Sequence, residues 1–332
     1  MKVGITLPNL GPQATRENIL SLSTGSEKEG IDSLWTITRV LWPLKPRTPY
    51  AATPDGSLPI EYQIALDPLD VLTYVASNTN KIALGTSVID MFFYTPIMLA
   101  KRFATLDLLS QGRSICGLGI GWSKDEYQAS NIPFKDRGER ANEFIQALKK
   151  IWIDDVVEFK GKYYNIPASK VYPKPIQKPH IPVYLGGFSP NTFSRIVKYD
   201  INGWLGVVGG PLEYLENTIK AIKEQASQAN KNPDNFPVIL LTYPNVSEDQ
   251  SSSDKDKNRF PLYGGIDEVG SDIQRIKGMG VDHIIFGYNF SPIGKDVAKM
   301  IYISKQLSKH NLPQLGGIGK NLATLRKWYF TS

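Results

Sequence analysis

Eight short apolar runs, each followed by a polar or helix-period stretch, constrain this chain more than any other feature. The runs are Val3 to Leu7, Ser33 to Ile37, Ile82 to Val88, Ser114 to Gly119, Val183 to Gly186, Gly203 to Val207, Val238 to Tyr243 and His283 to Gly287. Helical spacing predicts Arg16 to Glu29, Pro68 to Ser77, Pro96 to Ser110, Asp136 to Trp152, Pro211 to Ala229 and Asp267 to Gly278 between them. Continuous apolar strands separated by helices signal parallel pairing with both sheet faces covered. Eight such units favour a closed α/β (β/α)8 TIM barrel with insertions over an open sheet, and 332 residues suffice for it.

The loops locate the site, because barrels carry their chemistry on the loops that follow strands. The longest excursions are 39–66, rich in proline and aromatics, and 153–182, where VEFKGKYYNI reads as a small hairpin. A third, SEDQSSSDKDKN at 247–258, is polar and follows the seventh run, the position of a lid.

The stretch ICGLGIGWSKDE, 115–126, sets Gly117, Gly119 and Gly121 at alternate positions before a helix start. A dinucleotide cradle needs G-x-G-x-x-G, and Trp122 stands out of that register. Alternate strand residues face one side, so three glycines either open that side to a flat ligand or form a tight corner. Asp125 and Glu126 suit a helix N-terminus. In YLGGFSPNT, Gly186 and Gly187 allow close backbone approach, Phe188 follows, and Ser189 adds a hydroxyl at a helix start, the makings of a phosphate turn or of an ordinary cap.

Other classes are disfavoured. The net charge of +6 concentrates at the end: residues 300–332 hold Lys305, Lys309, Lys320, Arg326 and Lys327 and no acid. No nucleic-acid module accompanies them. The segment 313–332 reads as a basic tail, compatible with a short amphipathic docking helix or a mobile end, after a barrel domain over 1–312. No apolar run nears the roughly 18 residues of a membrane span, and MKVGITLPNL has no secretory pattern, so a cytoplasmic protein is expected. The single cysteine, Cys116, lies in a strand pattern and reads as core. His180, His283 and His310 form no metal spacing, and His283 reads as a packing residue.

Six phrases carry a family likeness: KIALGTSVIDMFFYTP, FATLDLLSQGR, GLGIGWSKDEYQASNIPFKDRGERANEF, FKGKYYNI, PKPIQKPHIPVYLGGFSP and INGWLGVV. In this order they resemble the luciferase-like monooxygenase superfamily, and within it the branch of oxidoreductases that use the deazaflavin coenzyme F420. The resemblance implies a barrel that binds its cofactor at the carboxyl ends of the strands and often dimerises. It implies a cis peptide between Ser87 and Val88 in a bulge behind the ring. Gly119, Ile120, Gly121 and Trp122 would pass beside the cofactor, and Gly186, Gly187, Phe188 and Ser189 would hold its phosphate. Sugar-phosphate dehydrogenases of that branch carry Asp-His where this chain has Thr38 and Arg39, and a glutamate where it has Trp122. Glucose 6-phosphate is therefore not expected as substrate. Arginine cannot act as a general base near neutral pH but can hold an anion or stabilise a reduced ring, so Thr38 and Arg39 stand as the candidate catalytic positions. Lys124 and Arg39 are candidates to attract the acidic tail of F420. The expected activity is F420-dependent hydride transfer to or from a small organic molecule; the alternatives are an FMN-dependent monooxygenase and a non-catalytic cofactor-binding barrel.

Overall fold

The computed structural model describes residues 1–247 and 259–310. The proposed lid, but for Ser247, and the basic tail lie outside these residues. Eight parallel strands form the barrel: β1 Lys2–Thr6, β2 Ser33–Thr36, β3 Ala83–Thr86, β4 Ser114–Gly119, β5 Val183–Gly186, β6 Gly203–Val207, β7 Val238–Thr242 and β8 His283–Phe286. Each pairs with its sequence neighbour, β1 pairs with β8, and Leu84 opposite Ser114 joins β3 to β4, which closes the ring. All eight expected strands are present, shifted by at most two residues at an end.

The surrounding helices start where the sequence supplies caps. Helices α1 Arg16–Lys28, α2 Pro68–Ala76 and α3 Pro96–Leu109 are preceded by Thr15, Asp67 and Thr95, whose side chains accept from backbone N–H groups of the first turn. Proline occupies the first helical position of α2 and α3, where its missing N–H costs nothing. The ring continues with α4 Lys124–Ala129, α5 Arg137–Ile153, α6 Pro190–Lys198, α7 Leu212–Gln228, α8 Ile266–Gly278 and α9 Val297–Lys309. The hairpin forms from Val157–Lys160 and Asn165–Ser169. Among the described residues no helix is long and apolar enough to cross a membrane.

Strand alternation builds two cores. Outward side chains such as Ile5, Leu34, Leu118 and Ile284 pack under the helices, while Trp35, Leu205, Ile239, Leu241 and Ile285 fill the barrel. Trp35 takes so much of the interior that its neighbours must lack side chains. A Cβ on Gly4 or Gly85 would fall 2.6 or 2.4 Å from its ring. Cys116 is fully buried.

At the end of the barrel opposite the mouth, Trp35 Nε1 donates to Ser33 Oγ at 2.6 Å, and the same hydroxyl pairs with His283 Nε2 at 2.7 Å. His283 is thus a buried packing residue whose Nε2 is hydrogen-bonded. Burial, reinforced by the positive charges of Lys2 and the N-terminus, pushes it down to about 3. The unfolded chain takes up a proton near pH 6.5 that the native state refuses, so stability falls as pH drops below that value. The limiting slope is about 1.4 kcal/mol per pH unit for this one group. Denaturant unfolding of wild type and His283→Gln at pH 7 and 5 should show a smaller acid loss in the variant; equal losses would contradict this assignment.

Candidate functional site

The carboxyl ends of β2 to β5 bring the candidate residues together on one half of the barrel mouth. Thr38 and Arg39 follow β2, Ser87 and Val88 follow β3, Gly119 to Trp122 end β4, and Gly186 to Ser189 end β5. The β3 exit is irregular. Gly85 faces Ile115, but the ladder resumes with Ile89 opposite Leu118, so one extra residue is accommodated on the β3 side, a β-bulge. Within it the Ser87–Val88 peptide is cis.

The alternate glycines serve this bulge. A Cβ on Gly117 would lie 1.8 Å from the Thr86 carbonyl oxygen, while Thr86 Oγ1 donates to the Gly117 carbonyl and accepts from its N–H at 2.8 and 3.1 Å. A Cβ on Gly119 would meet Val88 Cγ2 at 2.6 Å, and one on Gly186 would meet Val88 Cγ1 at 3.0 Å. The expectation that the glycines open a face directly to a flat ligand is therefore modified: the bulge occupies much of that space. Val88, half-buried, ties β3 to β4 and β5 there. Gly121 turns the chain with φ +69°. Ile120, just before it, packs against the outer core, its carbonyl accepting from the Tyr127 phenol.

The 39–66 excursion folds over the mouth as an aromatic strap. Leu10, Ile37, Leu58 and Tyr62 form its buried core, with Trp42, Tyr50, Trp122 and Phe290 packed around them. Trp122 tilts against Tyr50 at 5.5 Å, and Tyr62 meets Phe290 edge-on at 5.1 Å. Arg39 lies between Tyr62 and Trp122, with its guanidinium carbon 5.2 and 5.1 Å from their ring centres.

Arg39 does not present a free charge. Its Nη2 donates to Glu126 Oε2 at 2.6 Å, and Glu126 Oε1 accepts from the Val40 N–H at 2.8 Å. The two side chains are only 5% and 1% exposed, so Glu126 is a buried partner as well as a helix-start residue. Lys124 stays exposed, its ammonium 5.7 Å from the Phe134 ring centre. Asp90, which spacing alone did not single out, lies buried beside Gly119 and Gly121. Burial and the charge of Glu126 push its carboxyl up to about 7, against the pull of Arg39 and the Gly121 N–H.

Six buried side-chain polar atoms among the described residues lack a hydrogen-bond partner, and four belong to this end of the barrel: Thr38 Oγ1, Arg39 Nε, Trp42 Nε1 and Ser87 Oγ. Arg39 Nε and Trp42 Nε1 can only donate, so they suit acceptor atoms of a ligand. At the β5 exit, Gly187 to Ser189 are exposed, with Gly187 at φ +123°. Ser189 caps α6 by accepting from the Thr192 N–H at 3.2 Å, and Phe188 packs edge-on against Trp204 at 5.5 Å.

The ion pair sets a stability expectation. Arg39→Ala leaves Glu126 buried without its cation and should cost roughly 3–5 kcal/mol, so its effect is not confined to turnover. Adding Glu126→Gln should restore part of the loss in urea unfolding. A single variant as stable as wild type would show that the pair contributes nothing.

Comparison with known proteins agrees with this architecture. The family model for luciferase-like monooxygenases matches residues 1–270. An F420-dependent glucose-6-phosphate dehydrogenase of Amycolatopsis mediterranei is 30% identical over 240 residues, 70% of this chain and 65% of that one. An uncharacterized protein of Mycobacterium tuberculosis is 32% identical over 181 residues, 54% of this chain and 64% of its own length. The chain thus spans somewhat under two thirds of these relatives. An F420-dependent secondary alcohol dehydrogenase bound to an F420-acetone adduct superposes with TM-score 0.74 at 20% identity, covering 93% of this chain and 98% of the other. The oxygenating constituent of 3,6-diketocamphane monooxygenase from Pseudomonas putida, in complex with FMN, does so with 0.72 at 15%, covering 95% and 98%. At these identities the two structures speak for the fold alone. The match over residues 1–270 makes the chain a member of the luciferase-like monooxygenase family.

Proposed function

We propose that this protein is an F420-dependent oxidoreductase that transfers a hydride between the deazaflavin and a small organic substrate. The observation that carries the reading is the cluster of unpartnered buried polar atoms at the ends of β2 and β3, beside the bulge at Val88. A polar heterocycle rich in carbonyl oxygens fits this set, because it supplies acceptors to Arg39 Nε and Trp42 Nε1 and a polar edge to Thr38 and Ser87. When bound, F420 supplies the hydride-accepting or hydride-donating carbon, which no side chain offers.

The chain's own residues bind, orient and exclude water. Val88 backs the ring position, and the exposed turn Gly187 to Ser189 offers the N-terminus of α6 to the phosphate. The strap residues Tyr50, Tyr62 and Trp122 cover the mouth from solvent and leave an apolar surface for the substrate. Arg39, held by Glu126, keeps one donor, Nε, for an acceptor atom at the ring edge.

F420 is favoured over FMN because the relatives at about 30% identity include an F420-dependent enzyme, whereas the FMN-bound neighbour cited above stands at 15%. Glucose 6-phosphate is disfavoured, since Thr38 and Arg39 stand where that dehydrogenase branch has its Asp-His pair and the Arg39 cation is already engaged. The test is titration of cofactor-free protein with F420 and with FMN under matched conditions, followed by oxygen electrode measurements. Binding of F420 in preference to FMN, without oxygen consumption, is expected. Tight FMN binding with oxygen uptake and no F420 binding would overturn the proposal and establish the monooxygenase alternative.

A further inference from the structure

Across the mouth from the Val88 bulge, the exits of β7 and β8 frame a pocket of about 100 Å³. These two strands are neighbours in the ring and stand opposite β3 and β4. The pocket is lined by Tyr243 and Asn245 after β7, by Phe290 and Ser291 after β8, and by Tyr263, with one glycine and two prolines completing the wall. A cavity of roughly 150 Å³ holds benzene, so this one admits about four or five non-hydrogen atoms.

One side of the pocket is aromatic and fixed. The Tyr243 ring rests on Gly287, where a Cβ would fall 2.7 Å from Tyr243 Cε1, and it tilts against Phe290 at 5.4 Å. Phe290 also meets Tyr62 of the strap, whose ring carries the Arg39 guanidinium, so the pocket shares a wall with the cover of the cofactor half. The other side offers hydrogen bonds. The Tyr243 hydroxyl has no hydrogen-bond partner among the described residues, and burial holds the phenol above its ordinary range, so it keeps its proton and can donate. Asn245 is exposed at the rim, and Ser291 Oγ makes only a long bond of 3.5 Å to the Tyr288 carbonyl.

Among the described residues that line the pocket, none is charged. The cations that border it are engaged elsewhere. Arg39 is paired with Glu126, and Arg259, which donates to the Tyr263 carbonyl at 2.8 Å, is clamped on Asp272 at 2.7 and 2.9 Å. An ion entering the pocket would give up its hydration with no lining side chain of opposite charge to replace it. A neutral molecule with one oxygen would lose little and would find the Tyr243 hydroxyl.

We propose that this pocket is the substrate site, and that it selects a small uncharged molecule bearing one oxygen: a ketone or the corresponding alcohol, a pair that differs by one hydride on carbon and one proton on oxygen. The word substrate rests on the reading of the protein as an F420-dependent oxidoreductase. Tyr243 donates to the oxygen, and the Tyr243 and Phe290 rings flank the carbon skeleton. Sugar phosphates and carboxylates are excluded by charge, on grounds independent of Thr38 and Arg39.

The test needs no turnover. Butanone, propionate and butylamine are similar in size and are neutral, anionic and cationic at neutral pH. Titrated into the cofactor-free protein and followed by saturation-transfer NMR, butanone should bind and neither ion should. Tyr243→Phe, which keeps the ring and removes the donor, should weaken butanone about fivefold. Asn245→Lys places a cation at the exposed rim and should admit propionate. The proposal is overturned if wild type fails to bind butanone, if it binds an ion as tightly, if Tyr243→Phe keeps the wild-type affinity, or if Asn245→Lys still rejects propionate. Titration of the same samples with F420 keeps the two readings apart. Selective butanone binding without F420 binding would leave the pocket's chemistry standing and overturn its role as a substrate site. F420 binding with an ion preferred over butanone would leave the oxidoreductase reading standing and overturn this one.

Discussion

The ion pair between Arg39 and Glu126 joins two parts of the chain that are 87 positions apart, the strap leaving β2 and the short helix after β4. Neither part has reason to hold its place alone. The strap has little regular structure beyond one short 3-10 turn, and α4 is six residues long, too short to be stable on its own propensity. Taking both charges out of water is costly, and the attraction between them offsets that cost only because the geometry is close and Val40 adds a hydrogen bond. The flanking Tyr62 and Trp122 rings add cation–π attraction and exclude solvent. Strap, glycine turn and bulge are thereby fixed relative to one another.

The barrel divides its polar groups between its two ends. At the amino-terminal end of the strands, Trp35, Ser33 and His283 are linked by hydrogen bonds and burial holds the histidine neutral, an arrangement suited to stability. At the carboxyl-terminal end, polar atoms of Thr38, Arg39, Trp42 and Ser87 are left without partners, and a carboxyl is poised near neutrality. Such asymmetry marks the end that handles ligands, because unpaired buried groups are expensive where nothing answers them.

Most of the fold was legible because its periods are strong. Eight apolar runs became eight strands, and six helix-period stretches became helices whose bounds moved by no more than one residue. The start of helix α4 was legible from Asp125 and Glu126 but its extent was not, since six residues cannot display a period, and α9 overlaps a segment whose basic residues obscure its apolar positions Met300, Ile303 and Leu307. The glycine spacing and the LGTSV phrase pointed to the mouth. The use of the glycines did not follow from spacing, because the atoms they accommodate, the Thr86 carbonyl and the Val88 side chain, come from another strand. The pairing of Arg39 with Glu126 was missed for the same reason: each looks ordinary in its own segment, and only the closed barrel brings them together.

The central claim is that one half of the mouth, between β2 and β5, holds the cofactor. The opposite half offers a competing pocket of about 100 Å³ lined by Tyr243, Asn245, Phe290 and Ser291. A crystal structure of the protein soaked with F420 decides between them directly. Ring density against Val88, with the phosphate at Gly187 to Ser189, is the predicted result. Ring density in the Tyr243–Phe290 pocket, with the Val88 bulge and the Gly187 turn free of ligand, would contradict it.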